Sequence, residues 1–300
     1  MTTPEVIDMW APIWPTPEFL ENAAERFPEQ MLGYLRVFFK RPATIDAVAG
    51  VFGAVGMSDE VLRAELARAG IVRSLVTGFD EHSFVGKTFV SNDRVARIVE
   101  RFGDAVIPFA GADIGRGMTA VRELQRWVVE HGFRGLSLRP FMTGLPADDR
   151  RYYPFYAKCA ELDVPVSVHS SANWSAQRSN ELGHPRHLEV VANDFPELKI
   201  IISHAGYPWV LEACLLAWKH ENVYLELAAH RPKYMARPGT GWEPLFRFGP
   251  NQLRHKVLYG TGSFLLGVPP SQLIAELQDL PLPPEVLTDW LAGNAKSLLA

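Results

Sequence analysis

Two histidines end short apolar runs in the same way. Lys199 to Pro208 reads KIIISHAGYP: Ile200, Ile201, Ile202 and Ser203 lead into His204, and Ala205, Gly206, Tyr207 and Pro208 break the chain at once. Thirty-five residues earlier, Pro165 to Ser171 reads PVSVHSS and ends its run on His169. A four-residue run without alternation fits a strand buried on both faces. In parallel-sheet and barrel folds the carboxyl ends of such strands carry the chemistry. Imidazoles titrate near neutral pH, so His169 and His204 are candidates for general acid and base. A lone core histidine bonded to a backbone carbonyl is the plainer alternative for either one; the repetition argues for a site.

The elements that position them alternate. The pattern predicts strands at Val6 to Ala11, Ile71 to Thr77, Ala105 to Phe109, Phe133 to Leu138, Val164 to Val168, Ile200 to Ser203, Val223 to Leu227 and Lys256 to Tyr259. Helices are expected between them: Asp59 to Arg68 behind Ser58 as N-cap, Asn92 to Phe102, Met118 to Glu130, Tyr152 to Leu162, Arg186 to Asn193 and Trp209 to His220. Helical material is also expected over Glu243 to Arg254 and Ser271 to Leu299. Eight βα units in this length predict an α/β fold, a single (β/α)8 barrel over residues 1–300. No Gly-rich phosphate loop occurs. Residues 18–57 form an insertion after strand one. Its apolar Phe38, Phe39, Val51 and Phe52 need cover, so a lid or a dimer contact is expected there.

The predicted strand ends define a rim. It carries Trp10 and Pro12, Asp80, Glu81 and His82, Asp113, Arg139, His169, His204 and Tyr207. Glu226, His230, Arg231, Gly262 and Ser263 complete it. Arg139 and Arg231 suit bidentate recognition of a carboxylate. Trp10 and Tyr207, with Phe141, Trp174, Tyr234 and Phe264, are candidates to line a flat aromatic pocket. In VYLEL, Val223, Leu225 and Leu227 share one face and Glu226 takes the other, where a buried carboxylate needs a rim Arg or His as partner. His230 offers a switchable charge. Ser170, Ser171 and Ser263 stand in no GxSxG elbow and read as polar lining. His184 and His187 open a helix, where capping or solvated roles are favoured.

Several segments resemble the amidohydrolase superfamily, in its amidohydrolase-related group of decarboxylases and lactone hydrolases. FPELKIIISHAGYPW is similar to that group's sixth-strand motif, ENVYLELA to its seventh, GFRGLSLRPF to its fourth, VLYGTGSF to its eighth and VIDMWAPIWP to its first. The resemblance implies a (β/α)8 barrel. It also implies a metal site built from a His-x-His pair on strand one, a His on each of strands five and six, and an Asp on strand eight. Here the first pair falls on Trp10 and Pro12, and the Asp falls on Gly262, while His169 and His204 are kept. A catalytic zinc needs about three protein ligands, so the resemblance comes with a degenerate metal site, and no metal or other cofactor is expected.

Composition sets the surroundings. Apolar residues make up 47% and charged residues 21%, ordinary for a globular protein, and the net charge of −4 offers no footprint for nucleic acid or an anionic membrane. The opening MTTPEVIDMW has neither a basic nor an apolar signal region, and no stretch is long enough to span a bilayer, so neither secretion nor a membrane partner is expected. Cys159 and Cys214 lack metal or disulfide spacing and read as buried free thiols, which favours the cytoplasm. A homodimer is expected.

The functional expectation is a metal-independent enzyme acting on a small aromatic or cyclic organic acid. His169 and His204 would do acid–base work, and Arg139, Arg231, His230, Glu226, Tyr207 and Trp10 would bind substrate. Hydrolysis of a lactone, ester or amide stands first, and decarboxylation or isomerisation second. Two alternatives stay open: a barrel that has lost catalysis and binds a ligand or partner, and a metal enzyme with ligands relocated to Glu226, His169, His204 and His230.

Overall fold

The structure is a computed structural model and describes residues 4–11 and 14–300. Eight strands form one parallel sheet in sequential order: β1 (Val6–Asp8), β2 (Ile71–Thr77), β3 (Val106–Gly111), β4 (Leu136–Leu138), β5 (Val166–His169), β6 (Ile200–Ser203), β7 (Val223–Glu226) and β8 (Val257–Leu258). The first and last strands meet through Met9 N–H, which donates to Tyr259 O at 2.8 Å, and Gly262 N–H, which donates to Trp10 O at 3.1 Å. This is the barrel-like sheet that the eight βα units predict. The register sets His169 beside Ser203 and Ile202 beside Leu225, so the ends of β5, β6 and β7 lie side by side.

Alternation along the strands sorts the interior from the helix layer. Ile200, Ile202, Val223 and Leu225 join the large outer core. Ile201 and Tyr224 instead join a second cluster with Ile7, Leu75, Phe109 and Leu258, which is covered by Ala295 and Leu298 of the C-terminal segment. The next interior residue on each strand is polar: Ser203 on β6 and Glu226 on β7, with Ser167 bonded to Ser203 at 2.9 Å between their hydroxyls. The interior is therefore apolar at its amino end and polar at its carboxyl end.

Local signals account for the helix starts. Ser58 Oγ accepts from Val61 N–H and Ser91 Oγ from Arg94 N–H, capping Asp59–Arg68 and Asn92–Phe102. Elsewhere the expected boundaries give way to prolines and glycines. The helical stretch expected over 243–254 is a helix only at Glu243–Phe248, before Gly249 and Pro250. The stretch over 271–299 divides into Pro270–Gln278, Pro284–Thr288 and Asn294–Leu298, with a π-turn at Asp289–Gly293. β1 ends at Asp8 rather than Ala11, and Pro12 lies outside the described residues. A short antiparallel hairpin, Phe79–Asp80 with Thr88–Val90, follows β2 and was not expected.

The insertion contains the helices Pro17–Leu20, Ala23–Arg26, Leu32–Phe38 and Ile45–Val55. Its aromatic residues pack on that hairpin and on the loop after β8: Phe27 lies 5.3 Å from Phe89, and Phe52 stacks on Phe264 at 5.7 Å. Met31, Tyr34 and Phe38 reach the pocket at the carboxyl end of the barrel. Among the described residues no helix is long and apolar enough to cross a membrane.

Candidate active site

The pocket at the carboxyl ends of the strands has a volume of about 680 Å³. His204 enters it from an unusual backbone. His204, Ala205 and Gly206 all have positive φ, at 61°, 46° and 70°. Left-handed conformation at two consecutive non-glycine residues is costly and persists where the surroundings hold it. Two bonds hold His204: its N–H donates to Glu226 Oε2 at 3.2 Å, and its ring Nδ1 lies 3.0 Å from Ala228 O. A carbonyl only accepts, so Nδ1 carries the hydrogen and Nε2 keeps its lone pair.

His169 is held differently. Its Nε2 is 3.4 Å from Ser171 Oγ, and its Nδ1 is buried with no partner among the described residues. The His169 and His204 rings are 5.1 Å apart, and His230 stands 6.4 Å from His204 between Tyr207 and Trp242. Trp10 meets His204 edge-on at 4.9 Å. Burial lowers all three imidazoles: His204 to about 4, His230 to about 3, and His169 well below its ordinary value, where the neighbouring His204 and the Arg139 guanidinium further oppose a charge. All three are uncharged at neutral pH. This corrects the expectation that His169 and His204 titrate near neutrality; desolvation is the reason.

Both arginines are already engaged. Arg139 donates from Nε and Nη2 to the two oxygens of Glu81 at 2.8 and 2.5 Å, with both side chains about 6% exposed. Its guanidinium carbon lies 3.8 Å from the centre of the Phe79 ring, and among the described residues its Nη1 meets Met31 Sδ at 3.4 Å. Arg231 makes the equivalent fork with Glu276, its Nε donating at 2.9 Å. Arg139 and Arg231 both still line the pocket, as do Trp10, Tyr207 and His230.

Glu226 does not line the pocket. It lies fully buried beneath His204, with both oxygens turned to main-chain N–H groups rather than to an Arg or His. Burial raises its carboxyl well above the ordinary value, against the pull of those two donors. The other rim acids serve the loops: Asp80 accepts from Thr88 Oγ1 at 2.6 Å, and Asp113 from Ser83 Oγ at 2.7 Å. Ser170 bonds Gly183 O, His184 faces Glu212, and His187 faces Asp148. Cys159 and Cys214 are buried and free, and burial pushes the Cys214 thiol up to about 12. Sequence reasoning missed Glu81 as the partner of Arg139, and Met31, Tyr34, Asn180 and Trp242 as lining.

The residues at the implied metal site do not fit a metal. Among the described residues no group of three or more His, Cys, Asp or Glu is placed to hold one. Trp10 presents an indole, and Gly262, at φ 57°, has its missing Cβ position 2.6 Å from Ala229 N, so no carboxylate side chain has room there.

The family model described as Amidohydrolase matches residues 7–300. The chain belongs to the amidohydrolase family. Within it, this amidohydrolase is 32% identical over 146 residues to a 2-keto-4-carboxy-3-hexenedioate hydratase from Sphingobium sp., a match covering 39% of this chain and 41% of the relative. It is 27% identical over 176 residues to a gamma-resorcylate decarboxylase from Rhizobium radiobacter, covering 49% and 51%. The chain thus spans about half the length, or less, of these curated relatives. In three dimensions it resembles an uncharacterized TIM-barrel protein from Bordetella bronchiseptica, with a TM-score of 0.74, 23% identity and 98% of each chain covered. The resemblance read from the strand motifs and the family match agree on the amidohydrolase family, and among the described residues the implied metal positions are degenerate.

Proposed function

We propose that this amidohydrolase is a metal-independent lyase acting on a small, planar, unsaturated or aromatic carboxylate. One observation carries the reading. Two arginines and three uncharged histidines line a pocket whose other walls are aromatic, aliphatic and neutral polar side chains, and no Asp or Glu is among its described lining residues. Such a wall favours an anion with a flat apolar body. The Nη1 of Arg139, whose partner is a thioether sulfur, is the donor for which a carboxylate oxygen is the better acceptor.

His204 Nε2 is a base in the resting site. It takes a proton from a substrate hydroxyl or from water, and the imidazolium returns a proton to carbon. In a decarboxylation the ring carbon bearing the carboxylate gains that proton. The C–C bond then breaks, its electron pair returns to the ring, CO₂ leaves, and one proton is drawn from solvent in balance. In a hydration the same base deprotonates water as it adds across the C=C bond. The names of the curated relatives, a hydratase and a decarboxylase, favour these lyase reactions over the hydrolysis that the sequence put first. The filled positions at Trp10 and Gly262 also favour a second reading, a barrel that binds such acids without turnover.

The test is a panel of dihydroxybenzoates, unsaturated keto-acids and lactones, followed for CO₂ release, hydration and ring opening with chelator-treated protein of measured metal content. Turnover that survives chelation, and falls at least about 10²-fold in His204→Gln, is expected. Stoichiometric zinc or manganese with activity lost on chelation would overturn metal independence. Binding without turnover, unchanged in His204→Ala, would leave the binding barrel.

A further inference from the structure

Glu226 is buried deeper than any group of the pocket wall, yet no cationic side chain meets it among the described residues. A carboxylate in that position needs another role. Its two oxygens accept from two main-chain N–H groups, those of His204 and Ala228. Ala228 in turn offers its carbonyl to His204 Nδ1. The three residues close a ring of contacts: carboxylate to the His204 backbone, carboxylate to the Ala228 backbone, Ala228 carbonyl to the His204 imidazole. The strained φ of His204 lies inside that ring, and Ala229, at φ 64°, lies next to it. Gly260 belongs to the same construction, since a Cβ there would collide with Glu226 Oε1. Asp8 shows the same use of a buried carboxyl group two strands along, on β1. Its Oδ1 accepts from Trp10 N–H and Thr261 N–H at 3.1 and 2.8 Å, joining the end of β1 to the segment after β8.

We infer that Glu226 is the positioning residue for His204: by bridging the His204 and Ala228 backbones it sets the Ala228 carbonyl against Nδ1 and so selects the tautomer that presents a bare Nε2 to the pocket. The inference rests on the proposed use of His204 as the base. It replaces the substrate-binding role that the sequence suggested for Glu226 with an indirect one. Glutamine is the discriminating substitution. It keeps the shape but supplies one acceptor and one NH₂ donor, so one of the two N–H groups faces a donor and the bridge opens.

The experiment is nitrogen NMR of histidine-labelled full-length protein, with the His204 signals assigned by their loss in His204→Gln. The wild type is expected to show a single species, protonated at Nδ1 and bare at Nε2. Glu226→Gln is expected to lose that single species to a mixture of tautomers. Glu226→Asp, which keeps a carboxyl group but shortens the reach, is expected to do the same and serves if the first variant does not fold. A wild-type His204 protonated at Nε2, or averaged between tautomers, overturns the inference. So does a folded variant of either kind that keeps the wild-type signal. The spectra need no substrate. A protein with these spectra and no turnover fails the lyase reading while keeping the bridge.

Discussion

The β4–β5 side of the pocket and the β6–β7 side carry the same kinds of group, an arginine and a histidine, yet hold them in opposite ways. On the β4–β5 side the charge is locked: Arg139 is forked onto Glu81, stacked on Phe79 and almost wholly buried. Its histidine is loose, with one ring nitrogen unpartnered and the other on a long contact to Ser171. On the β6–β7 side the imidazole is locked by a bond from its backbone N–H to the Glu226 carboxyl and one from its ring to Ala228 O, while Arg231 sits nearer solvent with Glu276. In the proposed reaction a base needs a fixed lone pair and an anion site a fixed charge; each wall fixes one of these more deeply than it holds its other group. Two histidines that look alike in sequence therefore have different surroundings.

The arginines should show the largest difference. Arg139→Met strands Glu81 in a buried site, and removing one partner of a buried pair costs about 3–5 kcal/mol. Arg231→Met leaves Glu276, 11% exposed, still facing Lys233 Nζ at 3.9 Å and Gln272 Nε2 at 3.3 Å, and should cost less, about 1–2 kcal/mol. Urea unfolding of the two variants measures both. Equal losses would break the contrast between a locked and a relaxed charge.

The imidazoles should separate by pH. His204 has its folded value near 4, below the ordinary 6.5 of the unfolded chain. Between those values the unfolded state binds the extra proton, so this group's share of stability is whole above 6.5 and is lost as pH falls toward 4. His204→Gln removes that loss. From pH 7.5 to pH 5 the stability difference between variant and wild type should move by about 2 kcal/mol in the variant's favour. A flat difference across that range would mean that His204 is hydrated and ordinary, and the β6–β7 wall no more fixed than its neighbour.

Much of this architecture is legible in the chain because its strands are buried on both faces. Ile71–Thr77, Ile200–Ser203 and Val223–Glu226 stand where short β-branched runs place them, and the breakers after each mark the rim. The alternation in VYLEL sends Glu226 to the interior. What it meets there is a tertiary fact: two main-chain donors brought by the turn after β6 and by its own strand end. The arginine partners were hidden for the same reason, since Glu81 is 58 residues from Arg139 and Glu276 is 45 from Arg231. The lowered imidazoles depend on how completely the inserted helices and loops exclude water, which no local pattern encodes. The two-residue strand at Phe79–Asp80 is too short to leave a period.

The smallest effect tests the loose side directly. Ser171 Oγ stands 3.4 Å from His169 Nε2, beyond the usual range for a strong bond, and it also meets Ala172 O at 3.2 Å. If that contact holds the ring, Ser171→Ala leaves a second buried nitrogen of His169 without a partner, and the cost of an unsatisfied group, about 1–3 kcal/mol, follows. If His169 is held chiefly by packing, with Phe141 at 4.6 Å and His204 at 5.1 Å, the loss stays within about 0.5 kcal/mol. The length of the contact favours the small value. Chemical denaturation of Ser171→Ala beside the wild type decides it. A loss near the upper range would make His169 as firmly anchored as His204 and would remove the difference between the two walls.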